Sequence, residues 1–259
     1  MAVVTSGGVG LEYDVAGSPD APACLLLHSL GTTRELWDPQ WAALAERYRV
    51  IRYDVRGHGG SQPPAGPYTL EQLGQDALAV LDAAGVERAH VCGVSLGGLT
   101  AQWLGLHAAP RIERLVAANT GARLGSAEAW STRIDLVRDG GIEAVVEGGL
   151  ARWFTNRFRA SDPATTDRFR EMLKRCPVEG YAGACAVLRD GDLRDQLGRI
   201  GAPTLVVTGA HDSATPPALG HEIAEGVQDG RLVELDAAHL SNVEQALDFT
   251  DAVVRFFRR

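Results

Sequence analysis

Apolar residues follow two rhythms along this chain. A continuous apolar run occurs at 23–28, and strand-like stretches rich in apolar residues at 49–54, 90–94, 114–119 and 202–209, with a shorter one at 231–235. Such runs suit central strands of a parallel sheet, buried on both faces. Between them, apolar positions recur every three or four residues at 36–48, 69–84, 99–107, 216–226 and 242–257, which predicts helices. Thr69 is placed to cap the second of these and Gly85 to stop it. Residues 10–17 alternate and end in turn chemistry, which predicts an edge strand, paired with Val3-Val4 as an antiparallel hairpin. Strand and helix in regular alternation predict the α/β class, with a mostly parallel eight-stranded sheet flanked by helices.

The alternation stops after Asn119-Thr120. Residues 121–199 hold no buried strand, only helical stretches at 127–139, 142–150, 163–176 and 181–189. This reads as an all-helical cap inserted after the sixth strand. The core is then built from residues 1–120 and 200–259.

Composition narrows the function classes. The chain has 259 residues, 45% of them hydrophobic, enough for one α/β domain with an insertion. A net charge of −8 argues against nucleic acid or an anionic membrane as partner. The expected partner is a small molecule. Cys24 and Cys92 fall in strand-like runs, and no cysteine pair has C-x-x-C spacing. There is no basic leader followed by a long apolar run, so the expectation is a cytoplasmic protein with reduced thiols.

The chemistry gathers where strands end, which is where ligands bind in open parallel sheets. Gly93-Val94-Ser95-Leu96-Gly97 matches the G-x-S-x-G nucleophile elbow. A serine on so sharp a strand-to-helix turn needs small residues two positions to either side. Downstream come Asp212, in the loop after the run at 202–209, and His239, between the last strand and the last helix. That order, serine then acid then histidine, is the order of one triad class. Asp236 is a competitor for the acid, better read as capping its own turn. Asp54 precedes the serine and is read as bracing the Arg56-Gly57 loop. Two backbone amides should form the oxyanion hole: Leu96, after the nucleophile, and Leu30, in the loop after the run at 23–28. No histidine has metal-ligand spacing.

Taken together these residues resemble the α/β-hydrolases over nearly the whole chain. The likeness is closer to the 3-oxoadipate enol-lactonases. It rests on Ser29-Leu30-Gly31-Thr32, Leu36-Trp37-Asp38-Pro39-Gln40, the Ser95 elbow, Asn119-Thr120, Trp130, Arg133-Ile134 and Ala238-His239-Leu240-Ser241-Asn242-Val243-Glu244-Gln245. The last segment is the most specific. Two departures stand out: His28 where asparagine is more usual, and Gly121-Ala122-Arg123-Leu124 where relatives resemble Ala-Ala-Lys-Ile.

The resemblance implies hydrolysis of 3-oxoadipate enol-lactone to 3-oxoadipate in bacterial aromatic catabolism, through an acyl-enzyme on Ser95 and without a cofactor. His239 would be the base and Asp212 its orienter. The substrate carries a carboxylate, so the cap should supply a cation, from Arg123, Arg133, Arg152 or Arg157. Arg133 and Trp130 lie one helical turn apart and can share a face. Trp130 and Trp153 are read as pocket lining or cap core. Alternative readings are a broad carboxylesterase, a cofactor-free haloperoxidase-like hydrolase, or a ligand-binding protein on the same fold.

Overall fold

A computed structural model describes residues 1–258. The strands are β1 (Ala2–Ser6), β2 (Val9–Ala16), β3 (Ala23–Leu27), β4 (Arg49–Tyr53), β5 (Ala89–Val94), β6 (Ile112–Ala118), β7 (Thr204–Gly209) and β8 (Gly230–Leu235). They form one eight-stranded sheet in the order β1-β2-β4-β3-β5-β6-β7-β8. All pairings from β4 to β8 are parallel, and β1-β2 and β2-β4 are antiparallel. The apolar-rich stretches account for the centre: β5 and β7 are buried along their full length. The opening hairpin forms, but β2 is not an edge. It turns Val9 and Leu11 inward and pairs with β4, leaving β1 outermost.

Helices α1 (Asp38–Ala45), α2 (Leu70–Ala83), α3 (Leu96–His107) and α9 (Pro217–Gly226) join the strands. Thr69 caps α2 in a full capping box with Gln72, and Gly85 follows it at φ +66°. The amphipathic stretch at 36–48 divides into a 3₁₀ turn (Arg34–Trp37) and α1. The stretch at 242–257 also divides, into α10 (Ser241–Glu244) and α11 (Ala246–Phe257). Gln245, at φ −122° and ψ 52°, breaks the helix between them. Among the described residues no helix is long and apolar enough to cross a membrane.

Between β6 and β7 lie α4 (Ala127–Gly140), α5 (Glu143–Trp153), α6 (Asn156–Ser161), α7 (Pro163–Lys174) and α8 (Val178–Asp190). The α6 turn, capped by Thr155, and the 3₁₀ segment Arg194–Arg199 were not apparent from periodicity, being short and polar. The insertion rests on the core through bare backbone. A Cβ on Gly180 would stand 2.0 Å from the Gly57 carbonyl oxygen, and one on Gly66 would stand 2.9 Å from the Gly183 Cα. Only glycine permits so close an approach.

Candidate active site

Ser95 sits between β5 and α3 at φ 57° and ψ −114°, a strained conformation for a residue with a side chain. The flanking glycines explain how the turn is tolerated. A Cβ on Gly93 would meet the Gly97 carbonyl at 2.1 Å, and one on Gly97 would meet the Leu27 carbonyl at 2.2 Å. The Thr120 hydroxyl donates to the Ser95 carbonyl at 2.8 Å and braces the elbow from the loop after β6.

Asp212 and His239 meet across the sheet end. His239 Nδ1 lies 2.9 Å from Asp212 Oδ2, and both side chains are buried. A carboxylate can only accept, so Nδ1 carries the proton and Nε2 keeps its lone pair. Asp212 is held by more than the histidine. Oδ2 also accepts from the Thr215 hydroxyl at 2.6 Å and from Asn119 Nδ2 at 3.1 Å. Oδ1 accepts the amides of Ala214 and Thr215 at 2.8 and 2.9 Å. Burial pushes this carboxyl up, but His239 and the Thr215 donors more than offset it. Its pKa lies below the usual carboxylate value. Asp236 is elsewhere: it is exposed and pairs with His211 at 2.7 Å and Arg157 at 2.9 Å. Asp54 accepts from the backbone amides of Arg34 and Gly60 and pairs with the Arg34 guanidinium. Arg56 instead forms a buried two-pronged pair with Asp76, at 2.6 and 2.7 Å.

In the sequence Asn119 stands out only as part of the Asn119-Thr120 motif, yet it organises the acid. It stands at φ 44°, a region asparagine tolerates better than most residues. Its Nδ2 donates to Asp212 and to the Ala238 carbonyl, and its Oδ1 accepts the Ser241 hydroxyl. Thr215 carries no motif of its own; its one signal in the sequence is the spacing Asp-x-x-Thr in a tight turn.

Leu96 is the first residue of α3, where an amide has no acceptor within its own helix. The Leu30 amide has no hydrogen-bond partner among the described residues. Leu30 lines the same cavity as Ser95 and His239.

That cavity is compact, about 100 Å³, roofed by the insertion. Trp130, Arg133, Arg152, Trp153 and Tyr181 line it, and no Asp or Glu does. Arg133 lies over the Trp130 ring at 5.4 Å and donates to the Tyr181 hydroxyl at 3.3 Å. Arg152 is half-buried and makes no ion pair among the described residues. Burial, and then the charge of Arg133, lower its pKa. Trp153 is buried and packs edge-on against Phe169. Two of the sequence candidates lie outside. Arg123 pairs with Asp192 at 3.0 Å in a short bridge beside α8, and Arg157 is exposed on Asp236. Both already have carboxylate partners, so neither guanidinium is turned to the cavity.

The fold places the chain in a broad class first. It belongs to the alpha/beta hydrolase fold family, whose model matches residues 22–246. Within that class it is similar to 3-oxoadipate enol-lactonase 2 of Acinetobacter baylyi, 41% identical over 256 residues, 99% of this chain and 96% of the relative. The same organism's 3-oxoadipate enol-lactonase 1 is 38% identical over 96% of this chain and 93% of its own length. The crystal structure of the enol-lactonase from Burkholderia xenovorans LB400 superposes with a TM-score of 0.98 at 42% identity, covering all of both chains. The chain is thus a member of the enol-lactonase family of α/β-hydrolases.

Proposed function

We propose that this protein opens 3-oxoadipate enol-lactone to 3-oxoadipate, with Ser95, Asp212 and His239 as its triad. The observation that carries the reading is the charge pattern of one small cavity. Ser95 and His239 lie on its floor, two arginines stand in its roof, and no carboxylate lines it. A neutral ester needs no such cations. A lactone bearing a free carboxylate does. Residues 121–199 act as the cap over a core made of residues 1–120 and 200–259.

Ser95 Oγ attacks the lactone carbonyl while His239 Nε2 takes its proton. The oxygen of the tetrahedral intermediate rests on the Leu30 and Leu96 amides. Collapse breaks the ring C–O bond and expels an enol oxygen, which His239 protonates and which then tautomerises to the ketone. A water deprotonated by His239 attacks the acyl carbonyl, the acyl–Oγ bond breaks as His239 returns the proton to Ser95 Oγ, and the second carboxylate is released. Asp212 holds the imidazole in the required tautomer and stabilises the imidazolium. Arg133 and Arg152 hold the existing carboxylate, with Trp130 and Trp153 walling the ring. No cofactor enters these steps. The substrate is a small molecule, and the compartment we propose is the cytoplasm.

Steady-state kinetics on the enol-lactone and on p-nitrophenyl acetate test the reading. The lactone should give the higher kcat/KM. A preference for the short neutral ester would sink the lactonase assignment and favour a broad esterase.

A further inference from the structure

We propose that Glu244 is a positioning residue that joins the substrate-binding helix of the cap to the turn carrying the catalytic histidine. This rests on the active-site reading above, and it explains a part of the C-terminal motif that the triad does not use. Glu244 is half-buried on α10 and makes no ion pair among the described residues. Its carboxylate instead collects neutral donors from both sides of the cap–core seam. Oε2 accepts the Ala238 amide at 3.1 Å, one residue before His239. The same oxygen accepts the Thr155 amide at 3.2 Å, and Oε1 accepts the Thr155 hydroxyl. Thr155 lies two residues beyond the end of α5, the helix that carries Arg152 and Trp153.

The backbone completes the join in register. The Leu240 amide donates to the Trp153 carbonyl at 3.0 Å, and the His239 amide reaches the Arg152 carbonyl at 3.4 Å. Consecutive residues on the catalytic turn therefore meet consecutive residues at the end of α5. Those α5 carbonyls are among the last of their helix and have no N–H donor within it, so the turn satisfies them. Glu244 closes the far end of this ladder. A displacement of α5 would carry Arg152 and Trp153 with it and would also pull on His239. Glutamine offers one acceptor oxygen where the carboxylate offers two, and three donors converge here.

Four variants of the intact protein, assayed on the enol-lactone and on p-nitrophenyl acetate, separate this role from a general loss of structure. Thr155→Val removes the cap-side hydroxyl, and with it the N-cap of α6, but leaves the Ala238 contact. It should raise KM for the lactone about three- to tenfold and leave ester turnover within about twofold. Thr155→Ser retains both bonds of the hydroxyl and should restore KM. Glu244→Gln loosens both sides, so it should raise the lactone KM and also lower kcat on both substrates by about fivefold or more. The double variant Thr155→Val/Glu244→Gln should show no further rise in KM, because both changes break one contact. Equal effects of Thr155→Val on both substrates would overturn the proposal, as would unchanged kinetics in Glu244→Gln. If Glu244→Gln does not fold, Thr155→Val and its serine rescue decide alone. A wild-type protein that cleaves the ester but not the lactone would defeat the substrate reading, and the kcat effect of Glu244→Gln on the ester would still judge this one.

Discussion

His28 and His58 each accept a backbone amide from the other's loop. The Val55 amide donates to His28 Nε2 at 2.9 Å, and the Gly31 amide donates to His58 Nε2 at 3.1 Å. Each ring turns its Nδ1 to a carbonyl of its own loop, Ser29 at 2.8 Å and Arg56 at 3.2 Å. Both imidazoles are therefore neutral donors at Nδ1 and acceptors at Nε2. The pair cross-braces the Leu30 loop against the loop at 54–61, and it gives the unusual His28 a structural task.

A pH dependence of stability follows. Burial lowers His28 from the ordinary 6.5 to about 4, and burial and then the charge of His28 lower His58 to about 3. The unfolded chain takes up these protons near pH 6.5, while the folded chain resists until about pH 4. Stability from the pair is complete above about pH 6.5 and is lost as pH falls below it, by about 1.4 kcal/mol per pH unit for each site. Urea midpoints measured between about pH 7 and about pH 5 should fall with pH, and His58→Gln should flatten the slope by about one proton. An unchanged slope in that variant would show that His58 titrates normally.

The Ser95 backbone sets function against stability. At φ 57° and ψ −114° it occupies the mirror image of an ordinary extended conformation, open to glycine but strained for serine. Ser95→Gly should lower kcat by roughly 10⁶-fold and raise Tm by about 2–4 °C. Calorimetry of the variant beside Ser95→Ala, which keeps the strain, isolates the backbone contribution. A Tm for Ser95→Gly at or below that of Ser95→Ala would refute it.

Arg133 and Arg152 should matter only for a charged substrate. A charge-assisted hydrogen bond contributes about 1.5–3 kcal/mol, so either alanine variant should raise KM for the enol-lactone by about 10- to 100-fold. KM for p-nitrophenyl acetate should stay within about twofold. Arg123→Ala, whose partner is Asp192, should leave both constants alone. Parallel losses on both substrates would remove the two arginines as carboxylate anchors.

What could be read from the sequence divides along physical lines. The central strands were legible because burial on both faces leaves a stretch rich in apolar residues, as in β3, β5 and β7. The elbow was legible because a Cβ on either of its glycines would stand about 2 Å from a backbone oxygen. The order of Ser95, Asp212 and His239 was legible because topology sets it. The arginines were harder. Arg123 and Arg133 look alike in one dimension, and only the position of Asp192 separates them. Asn119, Thr215 and Glu244 act through hydrogen bonds between distant segments, which leave no periodicity to detect. The break at Gln245 was hidden for a similar reason. Its surroundings are apolar in helical rhythm, while its side chain bonds the Asp236 carbonyl.

The contact of Gly57 with Gly180, and of Gly66 with Gly183, bears on how such enzymes diversify. The core loop and α8 are shaped to each other at the level of the main chain, so neither can be exchanged without the other. A foreign insertion grafted between β6 and β7 would need glycine at both α8 positions to seat at all. New substrate preferences are thus reachable by side-chain replacement on α4 and α5, whereas wholesale transplantation of the insertion carries a steric requirement written outside the transplanted segment.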